Sequence, residues 1–340
     1  MQVSNPVAVL LCVGGMVLVG SSVSLSQLVL DYPHLTGQAA RYGLAAAVLF
    51  ALVHRFPGLL AGGTPPPGRP NRRELVVLTT LALTGMAGFN ACILVALPHA
   101  DPAVVGTFIG AAPLGLALLG PLTAGRRPTL RLVGAAGIVV AGTALVQGSG
   151  RADAVGILAS LGAFGGEIAF SLLAAAVLPR LGPVRVAAYS CALAVPLLLA
   201  AAIPAGELAR WRAPTATETA TFGYLAAMMT VVAFLAWFTG LRQLGVDRAG
   251  VLVGLMPVAT LLTAAVQAGR PPDPGQTVGV LVAGVGIAVG LGAGRSRRDR
   301  AAPRDPEPAG GRDRPVNLFQ PPLTVRRSAR SDAVCKRRAV

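Results

Sequence analysis

The chain has 340 residues, 54% of them hydrophobic and 13% charged, and a mean hydropathy of +0.65, a balance foreign to soluble globular domains. Its formal charge of +15 sits in loops and in the last stretch of chain, with no RNP, zinc-finger or helix-turn-helix pattern, which argues against nucleic acid as a partner. The composition is that of an integral membrane protein, and at about 20 apolar residues per helix the length accommodates ten spans.

Hydropathy and helix breakers place those spans at 6–28, 37–54, 75–97, 102–123, 131–148, 155–178, 184–204, 219–241, 248–268 and 277–294. Each is expected to be helical, because hydrocarbon offers the backbone no partners. The first is read as a retained span and not a signal peptide, since no Lys or Arg precedes it and similar spans follow throughout. The second carries Arg41 a turn into the apolar stretch, where it can snorkel outward or pair with an acid, Glu167 among the choices. A Pro/Gly-rich linker, PGLLAGGTPPPGRPNRRE, separates the second span from the third.

The third, fourth, eighth and ninth spans hold scattered polar or amphipathic groups: Asn90, Thr107, Tyr224, Thr230, Trp237 and Thr260. Individually each reads as a packing or interhelical hydrogen-bond residue, and together as a sparsely polar pocket. Pro113 and Pro257 lie inside the fourth and ninth spans as candidate gating kinks, or as simple shapers of packing. Asp101 and Asp247 precede helix starts and are expected to cap them.

The sixth span, 155–178, holds Glu167 near its midpoint, with Ser160, Phe164 and Ser171 on the same face and Gly162 and Gly166 on an adjacent face suited to close helix approach. An acid at that depth needs a wet cavity, a partner or a proton. Glu167 is therefore the first candidate for binding a proton or a substrate ammonium, and Ser160 and Ser171 are weaker ones, because a Ser hydroxyl readily bonds its own helix.

With both termini cytoplasmic, the inner loops carry eleven Arg and the outer side five, before the 13 basic residues of the tail are counted inside. Residues 295–340 are polar, Pro-rich and basic and are expected to be a disordered cytoplasmic tail. The two halves echo each other at offsets of about 144 to 146. Asp101 and Asp247, Pro113 and Pro257, and Ala124-Gly125-Arg126 and Ala268-Gly269-Arg270 recur in order. An odd five spans per repeat turns the second copy over in the membrane. The span of the first repeat that corresponds to the sixth has Ser and Gln but no acid.

The ten-span pattern, Arg41 within QAARYGLAAAVL, the run ALPHADPAVVGTFIGAAPLGLALL at 96–119, RLVGAAGIVVAGTALV in the fifth span and their later echoes resemble the EamA branch of the drug/metabolite transporter superfamily, over residues 6 to about 294. The resemblance implies an all-α permease of the cytoplasmic membrane, two inverted five-helix repeats (1–148 and 149–294) around a central cavity, that exports amino acids and other small metabolites. It departs from the family where Arg126 and Arg270 replace acids at the ends of the fourth and ninth spans. A passive facilitator of the same fold and a non-transporting scaffold or lipid-handling protein are the competing readings. Expected partners are a small-molecule substrate, the bilayer, protons as coupling ion and a second copy in a homodimer. Walker A, HExxH and GxSxG motifs are all missing from the sequence, so no enzyme activity, metal or cofactor is expected.

Overall fold

The computed structural model describes residues 6–55 and 69–292. The expectations for the basic tail and for most of the linker after the second span fall outside the described residues. Within them the chain is helical: α1 (Pro6–Leu25), α2 (His34–Arg55), α3 (Arg72–Ala96), α4 (Pro102–Thr123), α5 (Leu130–Gln147), α6 (154–181), α7 (183–202), α8 (Ala216–Leu244), α9 (Val246–Ala268) and α10 (Pro274–Gly292). No strand occurs among the described residues, only a single antiparallel bridge between Ala100 and Ala152. With α6 and α7 taken as one stretch, eight of these are long and apolar enough to cross a membrane, and α1 adds a shorter apolar helix.

The chain turns between α6 and α7 at Gly182, whose φ of 74° lies in the left-handed region open to glycine, between Pro179 and Pro183. α3 and α8 start earlier than hydropathy places them, because capping groups extend the first turn into charged sequence. Asn71 and Glu74 form a reciprocal capping box at the head of α3, and Thr215 and Glu218 form another at the head of α8. Arg180 pairs with Glu74 across from the end of α6, and Arg212 closes on Glu218 at 2.5 Å. At α2 the cap comes from far along the chain: buried Glu207 accepts from Leu35 N–H at 3.0 Å and Thr36 N–H at 2.9 Å.

Two helices widen midway, α3 as a π-helix over Ala82–Gly88 and α8 as another over Leu225–Val232. Two others break: α4 at Ala111, just before Pro113, and α9 at 253–254, just before Pro257. Asp101 and Asp247 do not cap with their side chains as the sequence suggests. The Asp101 carboxylate instead accepts from Arg151 N–H at 2.7 Å, where two loops meet, and Asp247 lies within the first turn of α9, 3.7 Å from Arg126.

Lipid-soluble helices gain little from apolar burial against one another, so close backbone approach supplies the cohesion. On α10 Gly279, Ala283, Gly286 and Gly290 face inward, while Val278, Leu281, Val285 and Val289 face out, a large apolar stripe suited to hydrocarbon. A Cβ on Gly286 would lie 2.8 Å from Val139 N and 2.9 Å from the Ala135 carbonyl of α5. Gly286→Val is therefore expected to cost roughly 1–3 kcal/mol through overpacking. Gly284→Val, at a position with open space, should leave the thermal midpoint of the purified protein unchanged.

Candidate functional site

Glu167 lies on the face of α6 that the bundle covers. Ser160, Ala163, Ser171 and Ala174, at three to seven residues' distance on that face, are fully buried, and Phe170 is 8% exposed; the opposite face presents Leu158 at 68% and Leu161 at 44%. Glu167 itself keeps partial exposure. Glu167 is thus centred on the covered face of α6 and not on the face that presents Leu158 and Leu161.

Its flanks fix the direction. Gly166 seats α6 against α3, with the position of an added Cβ 2.8 Å from the Thr84 carbonyl oxygen, and Gly162 meets Cys92 of α3 in the same way. On the other flank Phe164 and Ile168 pack over Gly115 of α4. One turn further Phe170 meets Phe234 and Phe238 of α8 at ring distances of 5.1 and 5.3 Å. Position 167 thus lies between the flank of α6 that meets α3 and the flank that meets α4, and among the described residues its carboxylate has neither a hydrogen-bond nor an ion-pair partner.

The other candidate residues divide sharply. Ser160 bonds the Gly156 carbonyl of its own helix at 2.7 Å and Thr107 that of Ala103 at 2.8 Å, so both hydroxyls are spent locally. The Ser171 hydroxyl is buried one turn from Glu167 and has no partner. Thr230 uses the π-helix of α8 to reach the Leu225 carbonyl, and Thr260 ties α9 to α1 through the Gly20 carbonyl at 2.9 Å. Trp237 is a core residue in the contact of α8 with α1, beside Gly15. Tyr224 is 39% exposed and shares an outward stripe with Ala220 and Ala227; helical spacing turns it away from the interior pocket the sequence suggested. Buried Pro113 and Pro257 follow the breaks in α4 and α9.

Arg41 and Glu167 do not meet. Arg41 is 6% exposed, donates from Nη1 to the Met229 sulfur at 3.1 Å and lies over the Tyr42 ring at 4.4 Å, while its Nε has no partner. Buried Asn90 donates to its own helix at the Met86 carbonyl and stands beside His34. Two residues of this region were not singled out by the sequence: His34, whose Nε2 is buried and unpaired, and Gln38, whose Oε1 is in the same state. Their spacing from Arg41, seven and three residues, puts all three on one face of α2, the one signal that would have found them.

At the head of α6, outside the membrane segment, Asp153 caps Gly156 N–H at 2.9 Å and meets His99 Nδ1 at 2.8 Å. The Gly156 bond first, and then His99, hold its carboxyl below the ordinary aspartate range. The same turn is fastened through Asp153 N–H to the His99 carbonyl at 3.0 Å, so the α3–α4 and α5–α6 connections form one joined edge.

The profile of the EamA-like transporter family matches residues 6–148 and again residues 154–291. The chain is 32% identical over 250 residues to the "Uncharacterized transporter YdeK" of Bacillus subtilis (strain 168), covering 71% of this chain and 83% of that protein. It is 26% identical over 270 residues, 77% of this chain and 89% of the relative, to the "Probable terminal-alkyne amino-acid exporter" of Streptantibioticus cattleyicolor. A solved structure described as "Crystal structure of protein" superposes with a TM-score of 0.72 at 19% identity, over 88% of this chain and all of the other, a likeness of fold. Two matches that together take in nearly every described helix, and relatives named as transporters, carry the conclusion that this multi-pass membrane protein belongs to the EamA-like transporter family.

Proposed function

We propose that the protein is a secondary active exporter of small metabolites, amino acids among them, in the cytoplasmic membrane with both termini inside. It works by alternating access between two inverted five-helix repeats, α1–α5 and α6–α10. The observation that carries the mechanism is Glu167, a carboxylate unpaired among the described residues and only partly exposed, on the face of α6 that the bundle covers. In a membrane such a group is expensive unless it handles charge, so its role is to exchange a proton or a substrate ammonium between the two access states.

The repeat reading rests on features that recur at a constant spacing. The capping boxes Asn71/Glu74 and Thr215/Glu218, the prolines Pro113 and Pro257, and the positive-φ helix ends Gly125 and Gly269 are each 144 residues apart, and the π-helices begin 143 apart. Five helices per repeat turn α8 over relative to α3, which sets the two capping boxes and their arginines on opposite membrane faces. The breaks before Pro113 and Pro257 then serve as hinges in equivalent helices. Export is favoured by the similarity to the S. cattleyicolor relative, which is named a probable amino-acid exporter.

The test is efflux of radiolabelled amino acids from proteoliposomes under an imposed proton gradient. Accumulation against the amino-acid gradient that collapses with an uncoupler supports active transport. Equilibration without accumulation makes the protein a facilitator, and no flux for any metabolite rejects the transport reading.

A further inference from the structure

The polar face of α2 is built like a ligand site that the mechanism above does not use. Arg41 carries a full charge at 6% exposure, and among the described residues no carboxylate lies within ion-pair reach of it. Its recorded partners, a thioether and an aromatic ring, neutralise nothing. One turn before it Gln38 Oε1, and one turn further His34 Nε2, are buried without a hydrogen bond. Three side chains along one helix face that each leave a buried polar atom unpaired, Arg41 Nε, Gln38 Oε1 and His34 Nε2, are costlier than apolar side chains would be, which suits the face to a ligand from outside the protein.

The neighbouring groups define what. Across from this face stand Asn90 of α3, Met229 of α8 and Cys191 of α7, a neutral and partly apolar wall. The nearby acid, Glu207, is already engaged by Leu35 N–H, Thr36 N–H and the Thr36 hydroxyl at 2.9 to 3.0 Å. One unneutralised guanidinium flanked by an amide and an imidazole matches one negative charge with planar acceptor geometry. A dianionic phosphate would bring a second charge with no counterpart.

We propose that His34, Gln38 and Arg41 form a carboxylate subsite, with the Arg41 guanidinium as anchor, so that the transported molecules are small monocarboxylates, amino acids among them. Gln38 completes the site through its amide, which rotates to present either its N–H donors or its oxygen. The proposal rests on the transporter reading and names its substrate class.

The test is direct binding to the full-length protein in lipid nanodiscs, by titration calorimetry, of neutral L-amino acids, each matched with its carboxamide and its decarboxylated amine. Wild type is expected to bind the acid at least about tenfold more tightly than either analogue, as a charge-assisted pair requires. Arg41→Gln should collapse that preference to within about threefold with analogue affinity unchanged, and Arg41→Lys should restore part of it. Should Arg41→Gln fail to fold, Gln38→Leu takes its place: it keeps the charge and is expected to weaken the acid about threefold while leaving the amine unaffected. Equal affinity of acid and amide on wild type, a preference that survives Arg41→Gln, or no binding of any acid would each overturn the subsite. Flux of neutral or cationic compounds with no acid bound would overturn the subsite and leave the transporter reading intact. Acid binding without any flux would do the opposite.

Discussion

Glu167→Gln is expected to abolish gradient-driven transport, lowering the initial rate more than tenfold, while the protein remains folded. The substitution keeps the size and shape of the side chain and removes only the ability to carry charge or a proton. Because the carboxylate has no hydrogen-bond or ion-pair partner among the described residues, its loss breaks no contact, and a structural role predicts an unchanged rate. Thermal midpoints of wild type and variant should agree within a few degrees, so the comparison separates function from stability. Exchange at equal pH on both sides distinguishes coupling from recognition: it survives if Glu167 carries only the proton and fails if it holds the substrate.

The second large effect is expected at the neighbouring residue. Gly166→Leu forces a side chain against the Thr84 carbonyl oxygen, 2.8 Å from where its Cβ must sit, and against Phe89 at 3.2 Å. Both are held in or beside the π-helix of α3, so the helix pair must separate. A loss of roughly 1–3 kcal/mol of stability follows from the overpacking. Transport should fall by at least an order of magnitude, because the same displacement rotates Glu167 away from the gap between α3 and α4. Gly165→Leu, one residue earlier and in open space, is the matched control and should behave as wild type in both measurements.

Much of this architecture was readable in the residues. The apolar spans, the connection between the spans at 155–178 and 184–204, the small-residue contact of Gly162 and Gly166 and the outlier status of Glu167 all follow from hydropathy, helical spacing and the cost of charge in hydrocarbon. What escaped did so for identifiable reasons. Helix starts at Arg72 and Ala216 lie upstream of the apolar runs because capping boxes and their arginines satisfy charged first turns, which hydropathy reads as loop. The start of α2 depends on Glu207, more than 170 residues away, and no local pattern reveals it. The π-helices leave no signature in composition.

The polar residues show the same division between local and distant causes. Ser160 and Thr107 bond their own helices, as their chemistry favours, and Ser171 in the same setting does not. His34 and Gln38 carry no local signal beyond their helical spacing from Arg41. Their place on the Arg41 face becomes meaningful once burial shows that nothing in the described protein satisfies them.

The central claim is that position 167 faces a passage open to each side of the membrane in turn. It is tested most directly by a Glu167→Cys variant in a background with Cys12, Cys92, Cys191 and Cys335 replaced, labelled with a membrane-impermeant thiol reagent from one side of oriented vesicles at a time. The account predicts labelling from both sides, with added substrate suppressing both. Labelling from one side only, or from neither, would contradict it.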